Sequence, residues 1–237
     1  MGTQERAPLK GKPLTYAAHV LAIAGSVMVL VWILHFRGGV AWDSTDEAQL
    51  FNLHPVLTLI GFIIIGGEAT ISYKSLPLGK EQRKLIHMVL HTVALIFGIL
   101  GIYTAFKFHD EAGIRNLYSL HSWLGLGAIV LYAIQWAYGF VVFFYPGGSP
   151  SLRATSVPWH VILGMFAYSL AVGNAILGFL EKLVFLETYG VSKVGPEAYL
   201  VNFTAIATIL YGVFVILVVY CQHEDQTPVD PNSYTAI

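Results

Sequence analysis

Nine of the 237 residues are histidines, against 13 Lys+Arg and 14 Asp+Glu. Imidazole ligates transition metals in its neutral form, exchanges protons near neutral pH and hydrogen-bonds through two distinct ring nitrogens. The chain has one cysteine, which excludes a disulfide framework and a thiolate-held zinc or iron–sulfur cluster. Metal or proton chemistry therefore falls to the histidines, and their places in the fold decide which it is.

Composition sets the medium in which they work. Hydrophobic residues make up 56% of the chain and charged residues 11%, where a soluble domain carries about a quarter charged. So little charge cannot cover a soluble enzyme, is far too apolar for a disordered chain, and with a net charge of −1 offers no basic surface for a nucleic acid. Long apolar runs recur at 15–34, 51–73, 85–106, 119–144, 157–180 and 199–221. Each holds roughly 20 residues or more, enough to cross ~30 Å of hydrocarbon at ~1.5 Å per residue. The first is too long for a signal-peptide core and lacks a small-residue cleavage site, so it is expected to stay.

Lys and Arg in the loops give the orientation. One side holds Arg6, Lys10, Lys12, Lys74, Lys80, Arg83, Lys84 and Arg153; the other holds Arg37, Lys107, Arg115, Lys182 and Lys193. Eight against five favours both termini in the cytosol. Pro55 and Pro158 are expected in the first turns of their helices, where a missing N–H costs little. Residues 145–150 read as a loop. The expectation is an all-α integral membrane protein, a single domain over 1–237 with cytosolic tails at 1–14 and 222–237.

Depth is then the useful coordinate. His54 and His121 enter with helices that start outside; His87 and His160 enter with helices that start inside, each about a turn below the surface. Two neutral imidazoles at one depth on facing helices are what a six-coordinate haem iron needs, one nitrogen ~2 Å from the metal on each face. Two levels give two haems, with irons ~20 Å apart along the membrane normal. The second to fifth helices would form a four-helix bundle around them, with the first and sixth peripheral.

A rival metal use is the i,i+4 pair His87 and His91, a possible zinc or iron site; a carboxylate di-iron bundle would need Glu-x-x-His repeats, which are absent. His91 reads instead as a partner in the haem surroundings. Glu68, Gln135 and Asn174 each lie fourteen residues past a histidine, almost four turns. They should share its face at the opposite level, either around the far haem or in interhelical hydrogen bonds. Glycines 61, 66, 67, 98, 101, 125, 127, 164 and 173 crowd these helices and serve either a flat macrocycle or close helix packing.

At the inner mouth, Lys80, Lys84, His87 and His91 form one stripe on the third helix, and Arg83 and Arg153 can join it. A cationic mouth attracts a small anionic reductant. At the outer mouth, the 107–117 loop carries Phe108, His109, Arg115 and Asn116, with Tyr118 a turn before His121. His19, His35 and His223 have no role argued from sequence. Cys221 at a membrane boundary reads as a small apolar residue, and Asn202-Phe203-Thr204 matches a glycosylation pattern too close to the membrane to serve.

Several of these residues fall in recognisable strings: Phe51-Asn52-Leu53-His54-Pro55, His87 with His91, His109, Ser119-Leu120-His121-Ser122-Trp123-Leu124-Gly125, and His160. Over roughly 51–180, extending to all six helices, the chain resembles the cytochrome b561 family of transmembrane ascorbate-dependent oxidoreductases, and its plant ascorbate-reducible members most. The resemblance implies two haem b groups with His54/His121 on the non-cytosolic side and His87/His160 on the cytosolic side. It implies cytosolic ascorbate as donor and monodehydroascorbate or a ferric chelate as acceptor, and a homodimer in an endomembrane of vacuolar or vesicle type. Lys80, Lys84 and Arg153 match positions suited to the donor; Phe108, His109, Asn116 and Tyr118 match the opposite site. The family often closes its second helix with Tyr-Arg; here Tyr73-Lys74 keeps the charge but loses the bidentate fork.

The expected function is transmembrane electron transfer. The rivals are a polar-solute or proton transporter with the histidines as a relay, for which no inverted repeat with a midplane site is evident, and a haem-free scaffold or receptor.

Overall fold

The computed structural model describes residues 11–43 and 46–224. Arg6 and Lys10, and most of the two expected tails, lie outside the described residues. Among them, six helices are long and apolar enough to cross a membrane: α1 (Lys12–Phe36), α2 (Ala48–Ser75), α3 (Lys80–Glu111), α4 (Leu120–Phe144), α5 (Pro150–Thr188) and α6 (Pro196–Cys221). Their outward faces carry Val20, Ile96, Ile134 and Phe166, each more than half exposed, as a lipid-facing perimeter requires.

The helices run longer than the apolar runs, because capping rather than hydropathy sets their ends. Ser149 accepts the Leu152 N–H at 3.3 Å and Pro150 takes the first helical position, where a ring without N–H is preorganised. Pro158 therefore lies inside α5, not in its first turn as expected. His160 lies almost three turns in and His87 about two turns into α3, deeper along their helices than the expected single turn. Ser119 caps α4 through the Ser122 N–H at 3.2 Å, which does put His121 in the first turn.

The second span is built in pieces. Asn52 interrupts it, and its buried amide donates to the carbonyls of Arg37 and Gly39 at 2.9 and 2.8 Å, tying the loop after α1 to the turn that carries His54. From Leu57 to Ile64 the helix is π-helical. A π turn takes more residues than an α turn, so the face drifts by something on the order of 100° across such a segment.

The histidines sit on two antiparallel hairpins. α2 packs along α3, and α4 along α5, while α1 and α6 pack most extensively on each other and α6 also covers α2 and α5. The core is built where these elements meet, around Ile63, Tyr132, Tyr168 and Tyr211. One polar pin closes the outer layer. The buried Glu197 carboxylate accepts from Trp32 Nε1 at 2.9 Å and pairs with Arg37 at 2.6 Å, so a single residue of α6 fixes the end of α1 by two charge-assisted bonds.

Removing one member of a buried, hydrogen-bonded pair strands the other. Glu197→Ala should destabilise the fold by about 3 kcal/mol and lower the thermal midpoint in detergent. A midpoint equal to the wild type's would show that the pin contributes nothing.

Candidate functional site

His54 on α2 faces His121 on α4, with ring centroids 6.0 Å apart and planes at 86°. His87 on α3 faces His160 on α5, with centroids 6.4 Å apart and planes at 65°. Each pair draws one member from each hairpin, so the cleft between hairpins holds both.

In three of the four rings the other nitrogen settles the tautomer. His54 Nδ1 lies 2.8 Å from the Gly101 carbonyl, His121 Nδ1 2.9 Å from Asn174 O, and His87 Nδ1 2.9 Å from Ala69 O. A carbonyl only accepts, so Nδ1 carries the hydrogen in all three and Nε2 keeps its lone pair. His160 Nδ1 meets the Gln135 amide instead, at 2.8 Å. The same Gln135 Nε2 donates to the His160 carbonyl at 2.6 Å, so the nitrogen end of the amide faces this residue and the contact does not place a hydrogen on Nδ1. Held Nδ1 with free Nε2 is the arrangement of a metal-bound histidine, whose second nitrogen is oriented by the protein.

A haem iron fits these distances. An iron–nitrogen bond of ~2 Å plus ~1.1 Å from Nε2 to ring centre gives roughly 6.2 Å between ring centres across the metal; the pairs show 6.0 and 6.4 Å. A zinc or di-iron centre does not fit, since no cluster of three His, Cys, Asp or Glu comes together among the described residues.

Glycine makes two of the rings possible. A Cβ on Gly178 would stand 2.7 Å from the His121 ring, and one on Gly139 2.9 Å from the His160 ring. Neither position stood out in the sequence, where the more numerous helix-packing glycines hide them. Gly61 lies against Phe97, and Gly98 against Phe62 and Ile129, which is helix packing; Gly127 and Gly173 face open space.

Gln135 and Asn174 do reach the opposite level, the first through the His160 ring, the second through its own carbonyl on His121. His91 hydrogen-bonds Tyr132 and lies against His87, ring centres 4.3 Å apart. Glu68, expected on the His54 face, turns elsewhere. Its carboxylate pairs with His19 of α1 at 2.9 Å and accepts from Tyr211 of α6 at 3.1 Å. The π-helical stretch between His54 and Glu68 shifts the register that the fourteen-residue spacing assumed. His19, without a role in the sequence, gains one here.

At one mouth, Lys80 lies within electrostatic reach of Lys84 and Arg153. Lys84 pairs with Glu81 at 2.7 Å, and Arg153 is braced on the Gly148 carbonyl at 2.8 Å. Arg83 turns away, stacked over Tyr73. At the other, Phe108 packs on Phe51, which packs on His54. Asn116 joins His109 at 3.0 Å to Asp110 at 2.9 Å. Tyr118 donates to Glu181 at 3.1 Å beside a cleft of about 330 Å³ that reaches His121. Burial, then the Glu181 carboxylate, push the Tyr118 phenol up to about 12, so it stays a donor near neutral pH. Lys182 lies over the Phe51 ring, 4.1 Å from its centre. Glu181, Lys182 and Asp110 carried no sequence signal, because single charges at helix ends are common.

Crowding at Gly178 is testable. Gly178→Ala should displace the His121 ring and lower the haem bound per chain at that level by about half or more, since overpacking costs about 1–3 kcal/mol. An unchanged absorption spectrum and haem content would mean the ring has room to move.

Comparison with known proteins agrees. The family description "Eukaryotic cytochrome b561" matches residues 53–186. "Transmembrane ascorbate ferrireductase 1" of Arabidopsis thaliana is 62% identical over 86% of this chain and 85% of its own length. "Probable ascorbate-specific transmembrane electron transporter 1" of Oryza sativa subsp. japonica is 57% identical over 88% of this chain and 90% of its own. "Ascorbate-specific transmembrane electron transporter 2" of Zea mays is 56% identical over 88% and 89%. With a family match over residues 53–186, which hold all four facing histidines, and relatives at 56–62% identity, this chain belongs to the cytochrome b561 family.

Proposed function

We propose that this protein is an ascorbate-dependent transmembrane oxidoreductase, carrying electrons from cytosolic ascorbate to monodehydroascorbate or a ferric chelate on the other side. The observation that carries the reading is the two facing histidine pairs, each spaced for one iron. In this reading the chain holds two haem b groups, His54/His121 at the non-cytosolic level and His87/His160 at the cytosolic level, within the bundle of α2 to α5. A bound haem supplies reversible one-electron chemistry at its iron. Everything else is the protein's work.

Gly101, Asn174 and Ala69 hold the Nδ1 hydrogens of three rings, and the Gln135 amide nitrogen contacts the fourth, so the ligand rings are oriented before any metal arrives. Lys80, Lys84 and Arg153 draw the ascorbate anion to the cytosolic mouth and neutralise it there. At the opposite mouth Asn116 fixes His109, whose other nitrogen is left to take or give a proton, and Tyr118 presents a phenol hydrogen. Phe108 and Phe51 keep the approach to His54 apolar. His91 and Tyr132 brace the His87 side. The same residues argue for both termini in the cytosol, because the cationic mouth lies on the side of the loop between α2 and α3.

A transporter of polar solutes would leave the purified protein colourless. The expected result is a red preparation with a b-type spectrum reducible by ascorbate. His54→Ala should remove one haem and His87→Ala the other, each leaving about half the haem per chain; a well-folded, colourless wild-type protein would overturn the function. For the donor site, Lys84→Ala should slow reduction by ascorbate by about 3–10-fold at low salt, with a weaker salt dependence than the wild type. An unaltered rate and salt dependence would take Lys84 out of that site.

A further inference from the structure

The His19–Glu68–Tyr211 cluster has no part in ligand orientation or in either mouth, yet it is an ionisable group within a membrane span, a costly placement that marks function. We propose that it is a redox-linked proton site: Glu68 takes up one proton when the iron held by His87 and His160 gains an electron, and releases it when the electron leaves. The inference rests on the electron-transfer reading above.

Hydrogen counting supports it. Tyr211 Oη lies 2.8 Å from the Ile64 carbonyl and 3.1 Å from Glu68 Oε1. His19 Nδ1 lies 2.9 Å from Glu68 Oε2. The phenol has one hydrogen, and a carbonyl can only accept. With Glu68 ionised, that one hydrogen is shared between the Ile64 carbonyl and Oε1; a proton on Oε1 leaves it to Ile64 and donates back to the phenol oxygen. With His19 donating to Oε2, one added proton on Oε1 completes all three contacts. The site therefore has a place for one more proton without any side chain moving.

The link to the metal level is short. Ala69, the residue after Glu68, supplies the carbonyl that holds His87 Nδ1 at 2.9 Å. Charge gained at that iron lies close to the carboxylate in a medium of low dielectric, where like charge disfavours ionisation. The step balances: iron(III) plus one electron from ascorbate gives iron(II), and the carboxylate plus one proton from water gives the carboxylic acid.

The titratable groups facing the pair are Tyr211 from α6 and Tyr168 from α5, which both act on Glu68 electrostatically, with Tyr132 from α4 facing Tyr168. The Tyr168 hydroxyl is buried and without a hydrogen-bond partner among the described residues. From α3, His91 reaches the group only through Tyr132. Glu68 makes no ion pair with Lys or Arg among the described residues; its one ion-pair partner there is His19.

The test is spectroelectrochemical titration of the haem-loaded full chain across pH 5.5–8.5. One of the two potentials should fall with pH by close to one proton per electron, and Glu68→Gln should abolish that slope while leaving the other potential unchanged. A reduced-minus-oxidised infrared spectrum of the wild type should show the carbonyl stretch of a protonated carboxyl that Glu68→Gln removes. A slope retained in Glu68→Gln, or no such band in the wild type, would reduce the cluster to an interhelical clamp. If Glu68→Gln fails to fold, His19→Gln should flatten the slope, and the wild-type infrared band decides by itself. A preparation with no b-type spectrum would instead overturn the electron-transfer reading.

Discussion

A histidine between membrane helices has two ring nitrogens and no water for either, so both must be given partners by the fold. Three of the four facing histidines solve this by donating Nδ1–H to a backbone carbonyl of a neighbouring helix. That single bond sets the tautomer, turns the ring and fixes how closely the helices approach. Much else is subordinate to it. Gly101 and Ala69 offer their carbonyls where a large side chain would hold the helices apart, and Gly178 lets the His121 ring lie on the backbone. At the fourth histidine the Gln135 amide nitrogen meets Nδ1 and also donates to that residue's own backbone carbonyl.

The spans and the facing histidine pairs were legible from sequence because each is a strong, repeated signal. Six apolar runs cannot be hidden in so uncharged a chain, and one histidine per inner helix repeats at alternating depth. The same arithmetic placed Gln135 and Asn174 correctly, since α4 and α5 stay close to α-helical between the paired positions. It misplaced Glu68, because the π-helical turns at Leu57–Ile64 leave no mark in a run of Leu, Ile, Thr, Gly and Phe. It misjudged Pro158, because a proline two turns inside a long helix reads like one at its start. Gly139, Gly178, Glu181 and Lys182 act only through what another helix brings to them, which spacing along one chain does not show.

The two mouths differ in kind. Among the described residues, Lys80, Lys84 and Arg153 gather with Glu81, leaving an excess of positive charge. The other mouth mixes signs and ring faces: His109 and Lys182 with Asp110, Glu181, Phe108 and Tyr118. A surface of the first sort collects anions at long range; one of the second sort discriminates by shape and by hydrogen bonds at contact.

Each histidine pair joins the two hairpins, and this has a bearing on how the molecule is made. Neither hairpin contains a facing pair, so neither brings two facing imidazoles together by itself as it leaves the ribosome. Both rings of the His54 level are present once α4 has entered the bilayer, but the Asn174 carbonyl that orients His121 comes with α5, as His160 does. Both levels are thus finished by the same fifth span, and a chain arrested before it would have neither pair fully held.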